Sequence, residues 1–473
     1  MINFKFKKDF WWGTATSGPQ TEGWTNKKSY SLMDEWFKKE PEQFFEKVGN
    51  DVANDMYLKF KEDIDIMSYL KLNSFRTSIQ WTRLVNKFPF EKLDQEGVDF
   101  YKKYFTYLKE KNIKVIVNLY HFDLPMPLQD QGGWENKDTI EEFRKYAKAC
   151  FLEFGDLVDY WASFNEPIVH SECGYYEGNH YPHIKNLKRA IQVGFNITVA
   201  SARAIKEFKK IFKDKKEKKI GVILNLTPCY SSSNNEEDLK ASKIADYFYN
   251  KSFLDPSVKG EYNKEFLKLL NNNNLSPHYK IKEIVDIKNN TVDYLGVNYY
   301  QPRRFKKPTN NESDGLEKFF ENYIWKERIM NESRGWEIYP KALYDIAINL
   351  KNNYNNIKWL VSENGMGVQE ESSIANKSIY IEDDYRIRFI SEHLYWLHKS
   401  IEEGSNCFGY HLWSFTDCWS WNNAYKNRYG FVAINLNNLE RKIKKSGYWI
   451  KNTIEKDNEI ELNKLIYKEF ISK

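Results

Sequence analysis

Eight short hydrophobic runs recur along the chain, at residues 10–17, 74–81, 114–122, 158–165, 220–226, 294–300, 359–363 and 408–415. Most are separated by longer segments with helical periodicity, for example 63–70, 143–154 and 190–212. Strands alternating with helices specify parallel βαβ units, because a parallel neighbour is reached only through a crossover. Eight such units close naturally into a barrel. The expected fold is therefore α/β: one (β/α)8 barrel with extended βα loops, spanning residues 1–473 as a single catalytic domain. The competing architecture is an open doubly wound sheet. No G-x-G-x-x-G turn follows the first run, which counts against it.

The bulk properties exclude several classes of function. Net charge is only +5, from 71 basic and 66 acidic residues. Acids interrupt the basic run at 213–219, so it reads as a solvated helix end and gives no reason to expect nucleic-acid binding. Five scattered cysteines lack any C-x-x-C pair and fit reduced thiols in a cytoplasmic protein. No run approaches the roughly 18 apolar residues of a membrane span, and residues 1–8 lack a signal-peptide core. Oligomeric state is not legible. Aromatics are abundant, with 15 Trp, 32 Tyr and 31 Phe. Most belong to the core, and some are expected to line a groove. The Asn-rich stretches at 271–274, 310–311 and 352–356 read as loop or helix-end filler. Segment 306–334 is too long for a simple βα loop; it reads either as a cover over a pocket mouth or as a disordered insertion.

In a parallel barrel, the carboxyl ends of the strands carry the active site. Two lone acids stand there: Glu166 in Phe164-Asn165-Glu166-Pro167 and Glu363 in Ser362-Glu363-Asn364-Gly365. Two carboxylates on separate strands form the pair that glycoside hydrolysis requires. Asn165 is placed to bond a substrate hydroxyl, Pro167 stiffens the strand exit, and Gly365 is expected to permit a tight turn. Arg76 lies in an apolar run and needs an acidic partner if buried; Glu363 is the candidate. His121, Asn298, Tyr300 and Trp413 project from neighbouring strand ends.

These motifs resemble glycoside hydrolase family 1, the retaining β-glycosidases, over almost the whole length. The likeness begins with Phe10-Trp11-Trp12-Gly13 and Gln20-Thr21-Glu22-Gly23. It continues through Phe75-Arg76-Thr77-Ser78, His121-Phe122-Asp123-Leu124-Pro125, the Glu166 motif, Gly296-Val297-Asn298-Tyr299-Tyr300 and Gly335-Trp336-Glu337. It closes with the Glu363 motif, Trp413-Ser414 and Lys444-Lys445-Ser446. The resemblance implies that Glu166 is the general acid/base and Glu363 the nucleophile. It implies that Gln20, His121, Asn165 and Trp413 hold the glycone, that Arg76 and Tyr300 orient the nucleophile, and that Trp336 is the wall between sugar and aglycone. It implies no metal and no cofactor.

The substrate question concentrates in residues 417–430. Where plain β-glucosidases of the family carry a Glu, this chain has Ser420, followed by Trp421; Tyr429 and Phe122 likewise match the branch acting on 6-phosphorylated glycosides. One position departs from that branch: its phosphate-binding Lys falls at Asn427, with Lys426 adjacent. A sugar phosphate carries nearly two negative charges, and a carboxylate about 4 Å away costs roughly 4 kcal/mol per unit charge at an effective dielectric of 20. Loss of the Glu therefore removes a barrier to phosphorylated substrates. The expected function is hydrolysis of 6-phospho-β-glucosides, with 6-phospho-β-galactosides as the near alternative. The competing readings are a plain β-glucosidase or β-galactosidase and, further off, a non-catalytic sugar-binding barrel. The partner in each case is a small glycoside.

Overall fold

The computed structural model describes residues 2–309 and 312–467. Eight parallel strands close into a barrel: β1 (Trp11–Ala15), β2 (Ser74–Ser78), β3 (Lys114–Asn118), β4 (Tyr160–Asn165), β5 (Lys219–Asn225), β6 (Tyr294–Asn298), β7 (Trp359–Asn364) and β8 (Cys407–Trp413). Each strand pairs with its sequence neighbours, and β8 returns to β1. All eight expected runs are barrel strands. Most sequence ranges overrun the observed carboxyl ends by one to four residues, because the apolar run continues into the site-bearing exit.

The helices Met56–Tyr69, Gln95–Glu110, Lys137–Phe154, Leu187–Ile211, Lys341–Asn353, Asp384–Glu402 and Lys445–Glu455 form much of the outer ring. Their starts follow the rule that a short polar side chain satisfies the free N–H groups of the first turn. Asp94 accepts from the Glu96 and Gly97 amides, and Asn136 from Asp138. No helix among the described residues is long and apolar enough to cross a membrane.

The barrel interior is layered. Near the amino ends, Ile116, Tyr160, Tyr294 and Leu360 pack with Trp11 and Phe408 into an apolar plug. Trp11 lies 5.0 Å from Tyr160 and 5.1 Å from Phe408, ring centre to ring centre. Above the plug the interior turns polar: the Ser74 hydroxyl bonds His411 at 2.8 Å, and Arg76 is fully buried. Only the carboxyl end is left for chemistry.

The asparagines of 271–274 and 352–356 fall at helix ends, as read. Asn355 and Asn356 follow the helix Lys341–Asn353 with φ of 53° and 48°, a left-handed geometry that Asn tolerates better than most residues. The Asn356 side chain also accepts from the Asn406 amide at 3.1 Å. Residues 310–311 lie outside the described residues. The described residues of segment 306–334 are built into the fold. The strand Arg303–Lys306 pairs with Glu321–Asn322 and with Cys229–Ser231, and Ile329–Asn331 forms a hairpin with Trp336–Ile338 that reaches the pocket.

Candidate active site

β4 and β7 deliver the two acids. Glu166 follows β4 with φ +44°, and Pro167 opens the short helix Pro167–Ser171. Proline suits that first helical position, since its missing N–H has no intrahelical partner to lose. A left-handed non-glycine residue is strained and is held only where its surroundings over-determine it. The Glu166 amide donates to the Ile223 carbonyl at 2.9 Å, which is part of that restraint. Register irregularities fall between Ala162 and Asn165 in the β4–β5 ladder and between Val361 and Glu363 in the β6–β7 ladder. Both acids thus leave the barrel where regular pairing breaks. Gly365 serves by its size: its φ is not positive, and a Cβ there would lie 1.8 Å from the Trp413 carbonyl oxygen. The expectation of a turn glycine is corrected to a close-approach glycine.

The two acids have different surroundings. Arg76, from β2, forms an ion pair with Glu363 and also donates to Asn165 and, at 3.0 Å, to Asn118. The Tyr300 hydroxyl donates to the other Glu363 oxygen at 2.5 Å. Burial raises the Glu363 carboxyl above its ordinary range, and Arg76 and Tyr300 oppose that rise. Glu166 receives one neutral donor, the Asn298 amide at 2.7 Å. Burial first, and then the neighbouring Glu363, push it up to about 8. A cation in contact favours the ionised form of one acid; desolvation and a like charge favour the protonated form of the other. Such a divided pair is suited to nucleophile and acid.

The supporting residues interlock. Asn298 also donates to Asn165 at 3.1 Å, and Ser362 donates to Asn298 at 2.6 Å. His121 lies 3.3 Å from the Asn165 amide, and burial holds its imidazole well below its usual pKa. Asp123 accepts from the His121 and Trp81 amides and fixes that loop. Gln20 donates to the Trp419 carbonyl at 2.8 Å, tying the β1 exit to the loop after β8.

A cavity of about 430 Å3 opens over these groups. Gln20, His121, Asn165, Glu166, Tyr300, Trp336, Glu363, Trp413, Ser420, Trp421 and Tyr429 all line it. Asn298 and Arg76 stand behind the lining and act through the acids. Asn427 lies outside the lining: it is buried and donates to Asn423 at 3.3 Å, and Asn423 faces the cavity instead. The Lys426 ammonium stands 5.8 Å from the Phe45 ring centre, also outside the lining.

A family model for glycosyl hydrolase family 1 matches residues 2–459. The chain belongs to this glycosyl hydrolase family. It is 49% identical over 459 residues to the 6-phospho-beta-glucosidase GmuD of Bacillus subtilis, covering 96% of this chain and 98% of the relative. It is 36% identical to beta-glucosidase A of Acetivibrio thermocellus, with 96% and 99% covered. It is 34% identical to a 6-phospho-beta-galactosidase of Clostridium acetobutylicum, with 94% and 96% covered. A solved family 1 b-glucosidase from Thermotoga maritima superposes with a TM-score of 0.86 at 31% identity, covering 97% of this chain and 99% of that one.

Within this family 1 barrel, sequence reading missed several residues of the lining. Asn422 and Asn423 line the cavity beside Ser420, and Arg334 reaches it from the hairpin. Beneath the 420–430 loop lies a buried ion network: Lys444 bridges Asp417 at 2.8 Å and Glu371 at 2.5 Å, and Arg386 pairs with Glu371 at 2.7 Å. Asp417 accepts from the Gly430 amide at 3.0 Å, so the network clamps the loop that presents Tyr429. The Lys444-Lys445-Ser446 motif was the available signal, though its partners lie far away in sequence.

Proposed function

We propose that the whole chain acts as one catalytic unit, hydrolysing 6-phospho-β-glucosides with retention of configuration. Glu363 attacks the anomeric carbon, forming a glycosyl ester as the glycosidic C–O bond breaks. Glu166 gives its proton to the departing oxygen. Esterification removes the charge on Glu363, so Glu166 then holds a proton less tightly. It serves as base, taking a proton from the water that cleaves the ester and releases Glu363. The observation that carries the reading is the unequal wiring of the acids, a contacting cation on Glu363 and a single neutral donor on Glu166. Retention requires the pair to stand roughly 5–5.5 Å apart.

The phosphorylated substrate is supported by Ser420 in the cavity lining, at the position where plain family members carry a Glu. None of the carboxylates lining the cavity among the described residues belongs to the 420–430 loop or to the 329–338 hairpin. The relative at 49% identity is named a 6-phospho-beta-glucosidase, which favours the glucoside over the galactoside. A phosphorylated sugar is retained inside cells, so the reaction belongs in the cytoplasm. Asn427 is what favours the competing plain β-glycosidase. The deciding assay compares p-nitrophenyl β-glucoside with its 6-phosphate. A clear preference for the phosphate is expected; equal or better turnover of the plain glucoside overturns the phosphate assignment.

A further inference from the structure

We infer that Arg334 is the cation that binds the substrate's 6-phosphate, in place of the lysine absent at position 427; this rests on the phosphorylated-substrate reading above. A phosphate carrying nearly two charges needs a positive partner once desolvated. Two arginines line the cavity among the described residues, Arg303 and Arg334. Arg303 is committed to Glu172 at 3.0 Å. His121 and His180, also in the lining, are held neutral by burial. Lys426 faces Phe45, and Asn427 carries no charge. Arg334 makes no ion pair among the described residues, and its Nε is buried without a hydrogen-bond partner.

Three segments converge to fix the hairpin that carries this guanidinium. The hairpin turns at Asn331, whose carbonyl accepts from the Arg334 amide at 3.1 Å and the Gly335 amide at 2.8 Å. Gly335 takes φ +68°, a left-handed turn that suits glycine. Asn331 also donates to the Gly367 carbonyl at 3.0 Å, in the segment leaving β7. That segment pairs with the Tyr429 loop through reciprocal Val368 and Arg428 backbone bonds of 3.0 Å. A side chain at Gly367 would meet the Tyr429 ring at 2.5 Å.

The Arg334 guanidinium stands 4.3 Å from the Trp336 ring centre, and Trp336 packs against Tyr300 at 5.3 Å. A guanidinium stacked by its face keeps its edge N–H groups for a ligand. It also lies beside Tyr429, where its charge counteracts the burial that raises the phenol to about 12. Arg334 from the hairpin, with Ser420 and Tyr429 from the 420–430 loop, thus presents a charge beside two hydroxyls to one cavity.

The test measures kcat and KM for p-nitrophenyl β-glucoside and its 6-phosphate in the wild type, Arg334→Ala and Arg334→Lys. The expected result is a ratio of kcat/KM values, phosphorylated over plain, reduced about 10- to 100-fold in Arg334→Ala, as for loss of a charged hydrogen bond. The loss should fall on KM, and Arg334→Lys should recover part of it. Inhibition of the wild type by inorganic phosphate should weaken in Arg334→Ala. An unchanged ratio, or an equal loss on both substrates, overturns the role of Arg334 while leaving the substrate reading intact. A wild type that prefers the plain glucoside overturns the substrate reading itself, and this inference with it.

Discussion

The floor of the cavity and its rim are built by different means. Glu166, Glu363, Arg76, Asn165 and Asn298 stand on or directly after barrel strands, the two acids where the regular ladder breaks. Ser420, Tyr429, Trp336 and Arg334 stand on loops and a hairpin, held by a buried ion network and by glycine-sized gaps. The floor is one connected hydrogen-bond system, in which Arg76 touches Glu363, Asn165 and Asn118. The rim is assembled from separate segments and meets the floor where Trp336 packs against Tyr300. Reaction type is therefore coupled to the fold, and substrate choice is comparatively free of it.

Substitutions should separate the two regions. The largest effect belongs to the floor: Glu363→Gln should lower kcat at least about 10^4-fold on plain and phosphorylated substrates alike, because it removes the proposed nucleophile. Unimpaired hydrolysis would break the assignment of Glu363. Next comes the rim. Ser420→Glu should lower kcat/KM for the phosphorylated substrate about 10^2- to 10^3-fold through like-charge repulsion, with a much smaller change on the plain glucoside. An equal loss on both would mean that the loop had simply been distorted.

The pH profile of kcat/KM sharpens the contrast within the floor. Glu166 must be protonated before attack, and its raised pKa keeps it so up to about 8. Activity should therefore fall as pH rises through about 8. Asn298 donates to Glu166 and favours its ionised form, so Asn298→Ala should move this alkaline limb upward. A downward shift would show that Asn298 acts on some other group. The smallest effect is expected from Asn427→Lys placed in the Arg334→Ala background. A lysine there starts from behind Asn423 and should restore only a few-fold of phosphate preference, the scale of a partly solvated ion pair. Full recovery would move the charge requirement from Arg334 back to position 427.

The floor was largely legible in the chain. Barrel strands buried on both faces read as apolar runs, and a Glu or Arg interrupting such a run stands out. Arg76, Glu166 and Glu363 were found this way, as was the pairing of Arg76 with Glu363. Gly365 was found too, for the wrong reason: what demands glycine is the Trp413 carbonyl from the next strand, which sequence spacing cannot reveal. The rim was half legible. Ser420 and Tyr429 stood out by resemblance, whereas Arg334, at the end of the long 306–334 connection, belonged to no motif, and Asn427 looked like a contact although it lies outside the lining.

The sequence by itself determined the barrel and the place of two acids at its strand exits, because apolar period and polar interruption are properties of a chain read one residue after another. Only the tertiary structure decided that Glu166 receives a single neutral donor and is pushed up to about 8, and which arginine remains uncommitted at the rim. Those outcomes depend on distances between residues far apart in the chain, such as Arg76 and Glu363 or Asn331 and Gly367. Electrostatic coupling and desolvation act through such distances and leave no periodic trace in the sequence.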